Sequence, residues 1–148
     1  MSYGYLNDLN LKLLITLSRA MTEINKAQAS VITQNGLTLG QFAVLEVLYH
    51  KGELCINDII KKILSTSGNV TVVIENLVKE GYITKQKDPM DKRVSLINIT
   101  MKGRELIEKI FPMHLKNLEE MFHVLTDEDK IKMIELSKKL GKSIGEKR

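Results

Sequence analysis

Residues 65–100, "STSGNVTVVIENLVKEGYITKQKDPMDKRVSLINIT", decide the architecture of this 148-residue chain. The small residues of "STSG" (65–68) break a helical pattern. From about Ser67 to Glu80 apolar residues then return at steps of three and four, and Gly81 stops the run. The expected buried stripe is Val70, Val73, Ile74, Leu77 and Val78, which leaves Ser67, Gly68, Thr71, Val72 and Glu75 on the complementary face. Two stretches rich in β-branched and aromatic residues follow, "YITKQK" (82–87) and "VSLINIT" (94–100), and they read as strands. Between them "KDPMDKR" (87–93) is longer and more charged than the two-residue turn that would join two strands most economically.

Upstream, "INDIIKKIL" predicts a third helix that is capped by Asn57 or starts just before it, after an extended piece at Leu54, Cys55 and Ile56. Before that, Thr38 and Gln41 have the spacing of a capping box for a second helix. This helix should bury Phe42, Val44, Leu45 and Leu48 and end at Lys51-Gly52. Leu6, Leu9, Leu13, Leu17, Met21, Ile24 and Val31 define a long first helix, ended by Asn35-Gly36. Downstream, Thr100 caps a fifth helix in which Pro112 should produce a kink or a break. Thr126 opens a last helix with acids in its first turn, where the helix dipole favours them, and Gly141 and Gly145 mark its expected fraying end. Two short helices joined by a tight turn and followed by a hairpin make a winged helix-turn-helix. The fold class is therefore mainly α, an α+β winged helix flanked by N- and C-terminal helices. It is read as a single domain over 1–148, with the winged lobe at 37–103 and flanking helices at 5–34 and 101–144.

Composition narrows the function classes. Apolar residues make up 43% and charged residues 27%, enough for a real core in a soluble protein. The net charge of +4 fits a nucleic-acid binder without requiring one. Cys55 is the single cysteine, so an intrachain disulfide is excluded. No apolar run approaches the roughly 18 residues of a membrane span, and the start lacks the order of a signal peptide, so no membrane partner and a cytoplasmic location are expected. His50, His114 and His123 have no chelating spacing, and no phosphate-cradling loop or nucleophile pair is recognisable. The chain is not expected to be an enzyme or to use a metal or cofactor.

From Leu37 to Gly103 the sequence resembles the MarR family of bacterial transcription regulators. The matching stretches are "LTLGQFAVLEVL", "TSGNVTVVIENLVKEGYI", "DPMDKR" and "ITMKG". The flanking helices match in position and length, so the resemblance covers essentially the whole chain. One departure is Met90, where many relatives carry Arg. The resemblance implies a DNA-binding regulator, most often a repressor, that works as a homodimer on a pseudo-palindromic operator in double-stranded DNA.

It also implies that the fourth helix enters the major groove. There Ser67, Asn69 and Thr71 offer hydrogen bonds, and Val72 offers an apolar contact to a thymine methyl. No Arg or Lys lies in its first three turns, so the bidentate guanine contact is missing. The wing supplies the cations: Lys85 and Lys87 on one face of a strand, then Lys92 and Arg93. Asp91 is placed to hold the Arg93 guanidinium by a charge-assisted hydrogen bond, and an Arg gains from the negative potential of a narrow minor groove. The plainer alternative is a solvated tip whose charges only discourage edge pairing. Lys61, Lys62, Lys102 and Arg104 are less specific phosphate candidates. Cys55 has no adjacent base and reads as buried packing.

Apolar stripes on the flanking helices, including Leu106, Ile110, Leu118, Met121, Phe122, Ile131, Ile134 and Leu140, exceed what one small lobe can cover, and a second copy would bury them. The resemblance further implies a small aromatic acid as effector, in a crevice between the dimerisation helices and the winged lobe. The polar groups in reach of such a crevice are Arg19, His50 and Lys102 or Arg104, and Arg19, whose fork suits a carboxylate, is the expected anchor. The competing reading is a winged-helix module for protein contacts, or an architectural DNA binder without an effector.

Overall fold

The computed structural model describes residues 1–63 and 67–146. Its elements in chain order are α1 (Tyr5–Thr33), α2 (Leu39–Lys51), β1 (Leu54–Cys55), α3 (Ile56–Ile63), α4 (Ser67–Lys79), β2 (Ile83–Lys87), β3 (Ser95–Ile99), α5 (Met101–Phe122) and α6 (Asp127–Glu146). The strands form an antiparallel sheet in the order β1-β3-β2, with Leu54 opposite Ile97 and Ile83 opposite Ile99. A helix-helix pair followed by a hairpin, with a short third strand closing the sheet, is the winged helix expected from the sequence. No helix among the described residues is long and apolar enough to cross a membrane.

The chain divides into two compact units, Met1–Asn117 and Leu118–Arg148. The core lies in the first. Val44, Leu45 and Leu48 from α2, Ile59 from α3, Ile74 and Leu77 from α4, Ile97 from β3 and Ile107 and Ile110 from α5 are all essentially inaccessible to water. Each such side chain contributes about 1.5–3 kcal/mol of transfer free energy. His114 is buried with them, its ring 5.0 Å from that of Phe42. In the second unit Thr126 caps α6 and exchanges hydrogen bonds with Asp129, both at 3.1 Å.

The helix ends follow local rules. The hydroxyl of Thr38 accepts from the amide of Gln41, and the side chain of Gln41 accepts from the amide of Thr38, which completes the capping box. α4 ends in a Schellman motif. The amide of Tyr82 donates to Leu77 and that of Gly81 to Val78, both at 3.0 Å, and Gly81 has φ +78°, a left-handed value that suits glycine.

Several expectations need correction. Val78 is 38% exposed and lies outside the buried stripe, because it follows the fully buried Leu77 by one 100° step of the helix. α5 runs unbroken through Pro112, so the break does not occur; the ring costs only the one hydrogen bond that the Glu108 carbonyl would have accepted. α6 continues through Gly141 and Gly145 to Glu146 rather than fraying there, since an isolated glycine costs a helix only about 1 kcal/mol. Ile56 is already helical. Cys55 is half-buried, because the two-residue β1 lies at the sheet edge. The turn expected at 65–68 lies largely outside the described residues.

The tightest contact binds α4, the hairpin and α5 together. A Cβ added at Gly103 would stand 2.3 Å from the carbonyl oxygen of Tyr82 and 2.9 Å from Cγ1 of Ile99. That carbonyl also accepts the Thr100 amide at 3.0 Å. The Thr100 hydroxyl donates to the Gly81 carbonyl at 2.7 Å and accepts from the Gly103 amide at 3.2 Å. Gly103→Ala should therefore destabilise the fold by about 2 kcal/mol or more, in the range of forced overpacking. Urea unfolding of both chains at one fixed protein concentration measures it, and a loss below half of that would show that the backbone yields there.

Candidate nucleic-acid interface

α4 buries Val70, Ile74 and Leu77, and this alone fixes which face it turns outward. Asn69 and Glu75 are exposed, Val72 is 57% exposed and Thr71 is half-buried. Ser67 opens the helix, but its side chain lies outside the described residues. Asn76, one turn beyond Val72, shares the exposed face and was missing from the sequence-derived set. Its spacing of four from Val72 is the signal that could have found it, and its amide has the donor and acceptor pair that matches adenine.

The wing tip is an ordered turn. Its base is closed by the amide of Asp88 donating to the Val94 carbonyl, and its far end by the amide of Val94 donating to the Asp91 carbonyl, both at 2.9 Å. Asp88 Oδ1 accepts the Met90 amide at 2.8 Å. Asp91 Oδ1 accepts the Arg93 amide at 3.1 Å and Arg93 Nε at 3.0 Å, and Oδ2 accepts Nη2 at 3.1 Å. This is the two-pronged pairing of a planar guanidinium with a carboxylate. It leaves the Arg93 side chain 90% exposed but held by two bonds instead of swinging freely.

Lys85 and Lys87 are exposed on β2 at alternate positions, so they point the same way, and Lys92 is exposed at the tip. No hydrogen bond or ion pair engages these three side chains among the described residues. Lys102 and Arg104 are employed elsewhere. Lys102 Nζ donates to the Glu80 carbonyl at 2.7 Å and lies 4.7 Å from the Tyr82 ring centre, and the Arg104 guanidinium sits over the Tyr49 ring at 5.2 Å. Both fasten α5 to its neighbours.

Arg19 and His50 occupy different grooves. Arg19 lies on exposed α1 in a groove of about 380 Å³ shared with Lys12, Ile15 and the N-terminal residues. His50 lines a groove of about 570 Å³ with Val47, Lys51, Lys62, Ile63 and Phe111. Its Nδ1 lies 2.9 Å from the Glu46 carbonyl, and its ring 5.1 Å from that of Phe111. A protomer by itself does not bring the two residues together. Among the described residues no group of three or more His, Cys, Asp or Glu could hold a metal.

With this geometry in place, the likeness to known proteins becomes specific. The model of the family "Transcriptional regulator SarA/Rot" matches residues 26–110. The HTH-type transcriptional regulator MhqR of Bacillus subtilis (strain 168) is 40% identical over 132 residues, 89% of this chain and 91% of that one. Among solved structures, the chain is similar to Bordetella bronchiseptica BpsR, whose DNA binding is described as regulated by 6-hydroxynicotinic acid. That match has a TM-score of 0.80 and 26% identity, and covers 88% of this chain and 98% of the other. Sco3205 of Streptomyces coelicolor, a MarR family transcriptional regulator in complex with DNA, has the same fold, with a TM-score of 0.88, 18% identity and coverage of 96% and 91%.

The Arg93 side chain, and then its amide, hold the Asp91 carboxyl below the usual value of about 3.9, and Asp91 in turn pushes the Arg93 guanidinium up. A carboxylate depressed by folding contributes stability that is complete above its unfolded value and is lost as pH falls through the folded one. The pair is thus intact throughout the neutral range. In an NMR titration the Asp91 carboxyl should have its midpoint below the ordinary aspartate value, and Arg93→Ala should return it towards that value. Equal midpoints in the two chains would show that the guanidinium does not hold it.

Proposed function

Because this chain belongs to the SarA/Rot family of transcriptional regulators and has the MarR-type winged-helix fold, we propose that it is a homodimeric, ligand-responsive repressor of a pseudo-palindromic operator. The observation that carries the DNA-binding part is the wing tip, where Arg93 is held on Asp91 at full exposure beside Lys85, Lys87 and Lys92. A tip ordered before binding loses less freedom on docking. In this reading the wing enters a minor groove, while α4 lays Asn69, Thr71 and Val72, with Ser67 at its start, in the adjacent major groove. Residues 37–103 are the DNA-binding lobe.

Two copies are needed to read two half-sites. What supports a dimer is the apolar surface that the flanking helices leave in water. Leu6, Leu9, Leu13, Leu17 and Met21 on α1 are 40–68% exposed, and on α6 Ile131, Ile134 and Leu140 are 45–58% exposed. An exposed apolar stripe on a helix, as each of these two helices carries by itself, marks an association surface. The stretches 5–34 and 101–144 are accordingly the dimerisation helices, and they set the spacing of the two lobes. Repression at a promoter and a cytoplasmic site of action follow from this role.

For the effector, a small aromatic acid fits the His50 groove better than the Arg19 groove. Phe111, Val47 and Ile63 supply faces for a ring, and Lys51 and Lys62 supply charge for a carboxylate. The effector would act through its difference in affinity for two lobe spacings.

DNA titration tests the core of this reading. Arg93→Ala should weaken binding to a selected duplex and reduce the slope of log K against log salt by about one, and the stoichiometry should be two chains per duplex. Unchanged affinity at moderate salt would return the wing to a solvated loop. Calorimetry with salicylate tests the effector class. Binding near millimolar, about −4 kcal/mol, should be weakened by His50→Ala and left alone by Arg19→Ala; the reverse pattern would move the site to α1.

A further inference from the structure

We propose that Met90 makes the wing selective for A·T pairs by excluding the guanine 2-amino group from the minor groove, an inference that rests on the DNA-binding reading above. Met90 is 93% exposed at the summit of the hairpin. Its backbone is held, since its amide donates to Asp88 Oδ1 at 2.8 Å, while its side chain packs on nothing in the fold. The preceding Pro89 has no amide hydrogen to offer and keeps φ near −65°. The foremost group of the tip is therefore a flexible, apolar thioether on a fixed stem.

The surrounding groups give this side chain a chemical meaning. Lys92 and Arg93 are donors only. The two acids nearby are occupied in part by the turn itself: Asp91 binds the Arg93 fork with both oxygens, and Asp88 holds the Met90 amide with Oδ1. The exposed side chains leading the tip, Met90, Lys92 and Arg93, are thus an apolar chain and two donors. In the minor groove an A·T pair shows only acceptors, adenine N3 and thymine O2, which suit the lysine and arginine. A G·C pair adds the guanine 2-amino donor at the floor of a groove about 6 Å wide. Against the Met90 side chain that donor finds no good acceptor, because a thioether sulfur accepts only weakly. It also occupies the space into which Met90 would reach. A·T pairs let the thioether lie along the floor between the sugar walls; methionine is among the apolar side chains that minor-groove binders use, there as wedges between base steps.

The test isolates one amino group. A duplex is selected from a randomised pool with the unaltered chain, and the wing-contacted pairs are mapped as the part of the minor-groove footprint that Arg93→Ala loses. Adenine at those pairs is then replaced by 2,6-diaminopurine, which adds the 2-amino group while keeping the major-groove edge of A·T. Affinity of the unaltered chain should fall about tenfold. For Met90→Ala, an exposed change that removes the long side chain, the fall should shrink to about twofold or less. An equal fall in both chains overturns the role of Met90 while leaving the DNA-binding reading intact, because Arg93→Ala still distinguishes the footprint. A chain that selects no duplex, or a footprint with no Arg93-dependent part, overturns the inference together with that reading of the wing.

Discussion

The carbonyl oxygen of Tyr82 occupies the place where any side chain on residue 103 would begin. This close approach fixes the end of α4, the root of the hairpin and the first turn of α5 against one another. Around it the Thr100 hydroxyl bridges the Gly81 carbonyl and the Gly103 amide, and Lys102 reaches back to the Glu80 carbonyl and over the Tyr82 ring. The carbonyls of Glu80 and Gly81, just past the end of α4, are thus bonded by Lys102 and Thr100 at the start of α5. The angle between the outward face of α4 and the wing is set here, by backbone contact rather than by side chains that can repack. If both elements meet DNA as proposed, binding depends on that angle.

From this fixed root the two elements proposed to face DNA differ in chemistry. α4 carries short polar groups and Val72 but no cation before Lys79, so in the proposed reading it would discriminate bases while adding little long-range attraction. The wing carries the charge. Its Asp91–Arg93 pair is too exposed to stabilise the fold appreciably. Its value lies in holding a guanidinium, whose rotamers would otherwise be many, in one orientation. The paired carboxylate lowers the net charge of the tip by one, and in exchange leaves an arginine already aimed.

Much of this was legible in the sequence because it follows from local chemistry. Period and caps placed most helix starts and ends: Thr38 with Gln41, Thr100, Thr126 and Gly81 act as their residue types imply. The Asp91–Arg93 pair was legible because two residues of one tight turn cannot avoid each other. What could not be read was set by long-range packing. Lys102 and Arg104 look like phosphate ligands in the sequence, yet they are drawn to Glu80, Tyr82 and Tyr49, residues distant in the chain. Arg19 and His50 similarly looked like one site, because nothing in their spacing reveals that α1 and α2 turn them into separate grooves. Pro112 misled in the other direction, since neighbours on α5 hold the helix across a missing bond.

The two-residue strand β1 has a consequence for how the lobe assembles and opens. The β2–β3 hairpin closes over only the wing tip, whereas the pairing of Leu54 with Ile97 spans α3, α4 and the whole hairpin. Loop-closure entropy rises with the length enclosed, and β1 offsets it with two residue pairs and the Asn98–Glu53 hydrogen bond at 2.7 Å. Where the hairpin encloses a short loop, β1 pairs across the length of α3 and α4. It is the latch of the lobe: last to engage during folding, first to let go, and the point from which amide exchange would spread into the sheet.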